Sequence, residues 1–350
     1  MFFFLVNHTS GRPDGQKSTL GNEMALVITP DTIDFSKYIK ETDNQTKVKK
    51  ASEYIDYIKT RLRTKKDQKV SYLPWDHTKE NFEFRKGEVT LWSGQNGHGK
   101  SLMTSQIALS LIGQNEKVCI ASFEMKPAVT LQRMARMWIG CNPFMPEFQG
   151  DRGIEALDDM YDQFGTWTDG TMWLYDQTGT ADAQTVIGMA RYCAKELGIT
   201  HIFIDNLAKC VKSEDDYNGQ KIFVDELTSI ARDYEVHIHL VHHLKKPANE
   251  YAMPDKHDNK GSGAITDQVD NVMLVWRNKS KEDDIKTEGS FAKSAEDPDH
   301  YLLCRKQRNY EGSVEGEPTI KLFFHRDAQQ YIDTPKGRPM WFVNYPHIVT

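Results

Sequence analysis

The stretch GQNGHGKS, Gly94 to Ser101, lies between an apolar run, EVTLW, and an amphipathic one. A glycine-rich turn joining a strand to a helix turns successive backbone N–H groups toward an anion, and the Lys-Ser pair adds an ammonium and a metal-binding hydroxyl. Gly94, Gln95, Asn96, Gly97, His98, Gly99, Lys100, Ser101 and Leu102 therefore read as a cradle for a nucleoside triphosphate, ATP or another NTP. Lys100 is expected on the outer phosphates and Ser101 on Mg2+. Hydrolysis asks for two further groups. Asp205 closes the apolar run HIFID, where a strand-end carboxylate holds the water shell of the metal. Glu124, in IASFEMKP, ends the next apolar run before a helix-starting Pro127, a place from which a carboxylate polarises an attacking water.

These residues need a scaffold, and the pattern from about residue 82 provides one. EVTLWSG, KVCIASF, MWLYD, HIFIDN and VHIHLVHH read as strands. Helices are expected between them, up to Gln114, from Pro127, from Ala181 to Leu197 and from about Val224 to Asp233. That alternation predicts an α/β fold with a mostly parallel sheet covered by helices on both faces. Three shorter runs, NVMLVWR, YLLCRKQR and TIKLFFH, suit a meander extending the sheet.

Residues 1–44 carry no lasting periodicity and are expected to be a loose N-terminal arm. In residues 45–69, Val48, Ala51, Ile55, Ile58 and Leu62 form one apolar helical stripe among basic residues, a linker helix that must dock either on its own domain or, as expected here, on a neighbouring subunit. A hinge is expected to follow it, including SYLPWDHT. The nucleotide-binding domain is placed at 70–335 and a C-terminal tail at 336–350.

Composition narrows the classes. With 44 basic and 50 acidic residues the net charge is −6, so any nucleic-acid contact is confined to a few loops rather than a basic coat. Five cysteines, odd in number and without a CxxC pair, indicate neither a disulfide framework nor a zinc ribbon. The opening MFFFLV lacks the basic lead-in and length of a secretion signal, and no apolar run approaches the roughly 20 residues of a membrane span. A soluble, cytoplasmic protein is expected, in the host cytoplasm if phage-encoded.

Taken in order, WSGQNGHGKS, ASFEMKP with LQRMARM, HIFIDN, LVHHLKKP, DNKGSGAITDQVDNVMLVWRN and CRKQRNYEG resemble the motifs of hexameric replicative helicases with RecA-like folds. That family includes the DnaB-type enzymes, Twinkle and the helicase half of phage primase-helicases. The resemblance covers roughly residues 70–330. It implies an NTP-driven 5'-3' helicase that forms a hexameric ring on single-stranded DNA. His243 matches a γ-phosphate-sensing position, and Lys306 and Arg308 match a lysine and an arginine finger that reach the neighbour's nucleotide. Arg277 and Phe324 match positions flanking the base. Lys245, Lys246, Lys256 and Lys260 fall in the loop that grips DNA in this family. No zinc module or primase region is found, so primase, polymerase or loader are expected as separate partners. Two rival readings are a RecA- or RadA-type recombination ATPase forming filaments and a non-motor ATPase switch that binds proteins. His237, His239 and His243, alternating along one strand, are a rival metal site.

Overall fold

The computed structural model describes residues 27–28, 33–39, 50–56, 58–59, 70–213, 216–246, 249–259, 263–309 and 318–342. Ten described strands form one sheet in the order β1, β6, β5, β7, β8, β4, β9, β10, β11, β12. They are β1 (Val27–Ile28), β4 (Val89–Gly94), β5 (Val118–Ser122), β6 (Met172–Tyr175), β7 (His201–Asp205), β8 (His237–His243), β9 (Asn271–Arg277), β10 (His300–Gln307), β11 (Thr319–His325) and β12 (Gln330–Ile332). From β1 to β9 all neighbours run parallel, whereas β9 to β12 form the expected antiparallel meander. The central strands are buried along their whole length, which is why they read as continuous apolar runs.

The sheet separates two cores. Trp92 packs with Met103 and Ile107 of α1 (Lys100–Gly113), Met134 and Trp138 of α2 (Pro127–Ile139) and Phe164 of α3 (Asp151–Thr168). Val89 and Leu91 share the opposite core with Val186 and Ile187 of α4 (Ala183–Glu196) and Phe223 and Leu227 of α5 (Tyr217–Tyr234). Two short helices follow, α6 (Gly263–Gln268) and α7 (Lys279–Glu288). The α3 helix was not anticipated, because its acidic face and two internal glycines blur the pattern.

Two segments expected to lie outside the ATPase fold, the arm and the tail, contribute to it, and the stretch read as a hinge is built into it as well. In the supposed arm, β1 pairs with β6, and Phe35, only 4% exposed, sets its ring edge-on to Tyr175 and Tyr192. In the supposed hinge, β2 (Ser71–Tyr72) pairs with β3 (Glu83–Phe84). Leu73 and Trp75 are buried there, and the Trp75 indole N–H donates to the Tyr331 carbonyl at 2.9 Å. In the supposed tail, Phe342 joins the Trp92 core and the Met340 amide donates to Gln330 Oε1 at 2.6 Å. The cause is the same in each case: isolated apolar residues amid polar ones carry no period, yet they fill gaps at the sheet edges. Of the linker stripe, Ala51–Tyr54 is a 3-10 turn, residues 55, 56, 58 and 59 are helical, and Ile55 and Ile58 stand exposed. Val48 and Leu62 lie outside the described residues.

Candidate nucleotide site

The site is built at the C-terminal edge of the parallel strands, where open α/β sheets place their ligands. Strand β4 ends at Gly94, where an added Cβ would meet the Val275 carbonyl at 2.7 Å. Gly99, at φ +85°, is the left-handed cap of α1, and a side chain there would strike the Tyr331 hydroxyl. Both glycines let the chain pass close to its neighbours and turn into the helix. α1 is fixed from behind by Gln106, whose amide donates to the Tyr331 carbonyl at 2.7 Å and accepts from the Tyr331 N–H at 2.6 Å.

Lys100 folds across the loop, its Nζ donating to the carbonyls of Gly94 at 2.9 Å and Gln95 at 3.0 Å. Burial lowers its pKa to about 8 against the opposing pull of Asp205 and Glu124. Asp205 is itself buried, and loss of water raises its pKa, offset in part by a hydrogen bond from Ser101 and by Lys100. A serine hydroxyl and a buried carboxylate that line one pocket next to the phosphate loop, both hard oxygen donors, are a fitting donor set for Mg2+.

Parallel pairing of Ser122 with Asp205, and of Gly94 with His243, brings the remaining predicted groups together. Glu124 lies just beyond β5, and the His243 Nε2 stands 3.6 Å from its carboxylate. Asn206, which the motif reading passed over, donates from Nδ2 to Glu124 Oε1 at 2.5 Å and reaches His243 Nε2 at 2.8 Å. His243 first, then the Asn206 amide and Lys100, hold the Glu124 carboxyl below the usual carboxylate range against its partial burial. Glu124 is thus an ionised base candidate linked by one amide to the sensor candidate.

Arg277 leaves the end of β9 toward the loop: its Nη1 donates to the Gly97 carbonyl at 3.3 Å, and its side chain pairs with Glu282. Phe324 packs near Tyr331 and His300, with ring centroids 5.4 and 6.0 Å away. Both residues therefore stand beside the loop, on the meander side. His98 and His300 line this flank as neutral rings, burial lowering their pKa values to about 4 and about 3.

Below Glu124 and His243 opens a cleft of about 750 Å³ whose walls include Lys245 and Lys246 together with Lys209 and Lys212. The last two lie past the end of β7 and carried no motif signal. Lys245 and Lys246 are exposed, Lys256 is half-buried, and Lys260 lies outside the described residues.

Lys306 and Arg308 are elsewhere. β10 runs antiparallel to β9, so Gln307 pairs with Asn271, at the start of β9 and the N-terminal edge of the sheet. Strand β4, with six residues, separates that edge from the loop by about 20 Å. The alternating histidines are engaged in other ways. His237 contacts the Thr90 hydroxyl at 2.8 Å and the Arg85 carbonyl at 2.7 Å, and His239 accepts the Trp92 indole N–H at 3.1 Å. No group of three metal-binding side chains occurs among the described residues.

A RecA-like sheet, a glycine loop at its C-terminal edge and an acidic pair beside it define a P-loop nucleotide hydrolase. Residues 79–333 match the family model of the DnaB-like helicase C-terminal domain, and the chain belongs to that family of NTP-hydrolysing DNA helicases. Two solved structures share the fold. One, an ATPase domain, is 14% identical with a TM-score of 0.64, over 81% of this chain and 99% of that one. The other, described as a DnaB-like replicative helicase with its interactions with primase, is 15% identical with a TM-score of 0.62, over 83% and 68%. The family match favours neither rival, recombination filament or protein-binding switch.

Proposed function

We propose that this chain is the motor of a replicative helicase whose subunits form a hexameric ring around single-stranded DNA and complete one another's nucleotide sites. The observation that carries this reading is the separation of the two halves of the catalytic set. Glu124 and His243 flank the loop, while Lys306 and Arg308 lie at the opposite edge of the sheet, beyond reach of their own loop.

In this reading the loop amides and Lys100 bind the phosphates, while Arg277 and Phe324 flank the base. Ser101 and Asp205 hold Mg2+, which supplies charge neutralisation at the phosphates. Glu124 takes up the proton of the attacking water, and Asn206 keeps it in register with His243. An arginine from the neighbour stabilises charge on the γ-phosphoryl oxygens, an effect worth roughly 10³ to 10⁵ in rate. The DNA grip is assigned to Lys245, Lys246, Lys256 and Lys260. Lys245 and Lys246 follow His243 by a few residues, so a change at the γ-phosphate reaches the loop through the backbone. The working place is the cytoplasm, alongside a primase, polymerase or loader.

Arg308→Ala protein mixed with Lys100→Ala protein tests this. Neither alone should turn over, and mixed rings, seen by electron microscopy with a non-hydrolysable nucleotide and single-stranded DNA, should regain part of the activity. Mixed rings that stay inactive, or filaments in place of rings, would defeat the reading.

A further inference from the structure

The N-terminal edge of the sheet holds a second polar constellation, centred on Asp270 in the turn between α6 and β9. This residue is 2% exposed. Its Oδ2 accepts the Val89 N–H at 3.0 Å, and its backbone N–H donates to the Val89 carbonyl at 3.0 Å. Its Oδ1 lies 3.2 Å from Arg308 Nη1, and its carbonyl accepts the Arg308 N–H at 3.0 Å. Arg308 Nη2 also donates to the Asp267 carbonyl at 2.7 Å. Beside it, Lys306 Nζ donates to the carbonyls of Thr266 at 2.7 Å, Asp267 at 2.9 Å and Val269 at 2.7 Å.

We propose that Asp270 is the positioning residue of Arg308 and that, with the carbonyl end of α6, it holds Arg308 and Lys306 as a preset pair facing the neighbouring subunit. This rests on the shared-site reading above. A buried carboxylate has to be matched by charge and by hydrogen bonds. Val89 supplies one bond. The other cation near it, Arg232, is 3.8 Å away on a side chain 54% exposed; Arg308 is closer, at 3.2 Å on a side chain 38% exposed, and is also bonded to Asp270 through the backbone, so it is the principal partner. The unpaired carbonyls of a helix end attract cations, which fixes Lys306 and the second arm of the guanidinium. A finger aimed before its neighbour arrives spends no reorganisation at the moment of reaction. The same helix follows the DNA-gripping loop, so the pair is fastened to the segment that leads from DNA.

Asp270→Asn separates positioning from structure, since the amide oxygen still accepts the Val89 N–H. Turnover should fall roughly ten- to a hundredfold, as for a misplaced catalytic group, with KM for nucleotide nearly unchanged. Adding Asp270→Asn should slow the residual turnover of Arg308→Ala no further. Mixed with Lys100→Ala subunits, Asp270→Asn subunits should regain activity, because their own loops are intact and meet unaltered fingers. Merely structural damage would travel along β4 to the variant's own loop, and that mixture would stay silent. Silence there, while the Arg308→Ala and Lys100→Ala mixture is active, overturns the role of Asp270 alone, as does undiminished turnover of Asp270→Asn. If both mixtures are silent, the shared-site reading falls and this proposal with it. Should the asparagine variant not fold, Asp270→Glu, which keeps the charge but moves it, takes its place in the same assays.

Discussion

At the residue scale the sharpest expectations concern Glu124, Asn206 and Lys100. Glu124→Gln should bind nucleotide as before and lose turnover by at least about a hundredfold, the usual range of a lost general base. Asn206→Ala should leave Glu124 ionised but unanchored, lowering turnover less and leaving KM in place. Steady-state kinetics beside equilibrium binding of a labelled nucleotide separate the two effects. Lys100 carries a pH expectation. Its pKa in the free protein is lowered to about 8, and only the protonated form attracts phosphate. Nucleotide binding favours the charged state, so affinity should be flat below about pH 7 and weaken as pH rises past about 8, up to tenfold per unit. Titrations from pH 6.5 to 9.5 check this; constant affinity across that range would contradict it. Lys100, Ser101, Glu124 and Asp205 were legible in the sequence because each sits within a few residues of a strand end, where local pattern fixes direction. Asn206 was not. Its hydrogen bonds exist only because β5 and β8 flank β7, bringing in residues 82 and 37 positions away in sequence.

At the element scale the strands were readable and their borders less so. A strand buried on both faces announces itself by an unbroken apolar run, as β4, β5 and β7 do. The pair β2 and β3, two residues each, and the two-residue β1 announce nothing, although Trp75 and Phe35 bring large rings into the cores. Phe35→Ala should cost about 3 kcal/mol, as expected for a buried aromatic near an edge, and lower the midpoint of thermal unfolding. An unchanged midpoint would mean that the segment does not hold the fold. The loop after β8 carries a different expectation. Replacing Lys245, Lys246 and Lys256 with alanine should weaken single-strand binding equally across sequences and flatten its dependence on salt, because each lost phosphate contact releases less counterion. Hydrolysis without DNA should persist. Binding titrations at several salt concentrations decide the matter, and an unchanged slope would move the DNA contact to other residues, Lys209 and Lys212 first among them.

On the scale of the whole molecule, the described part of the linker stripe meets solvent, with Ile55 and Ile58 about half exposed at 47 and 49% and Tyr54 beside them at 48%. The sequence reading docks this stripe on a neighbouring subunit, which the ring proposed above would supply. Ile55→Ser with Ile58→Ser should therefore leave thermal stability of the monomer nearly unchanged while raising the concentration at which rings form. Sedimentation over a range of concentrations measures it; rings that persist at the wild-type concentration would assign assembly to other surfaces. Deleting residues 1–69 outright is a poorer test, because it removes β1 and Phe35 along with the stripe.

The placement of the loop at one edge of the sheet and of Arg308 at the other has a consequence for symmetry. In the ring proposed above each contact is head-to-tail, so the finger edge of one subunit would meet the loop edge of the next. Every such contact leaves one free head and one free tail until the circle closes. A chain of this shape therefore has a direction built into it. In that ring, information about the nucleotide in one subunit would pass to the next by the finger and not return by the same contact, and firing around the circle would acquire an order that no single subunit contains.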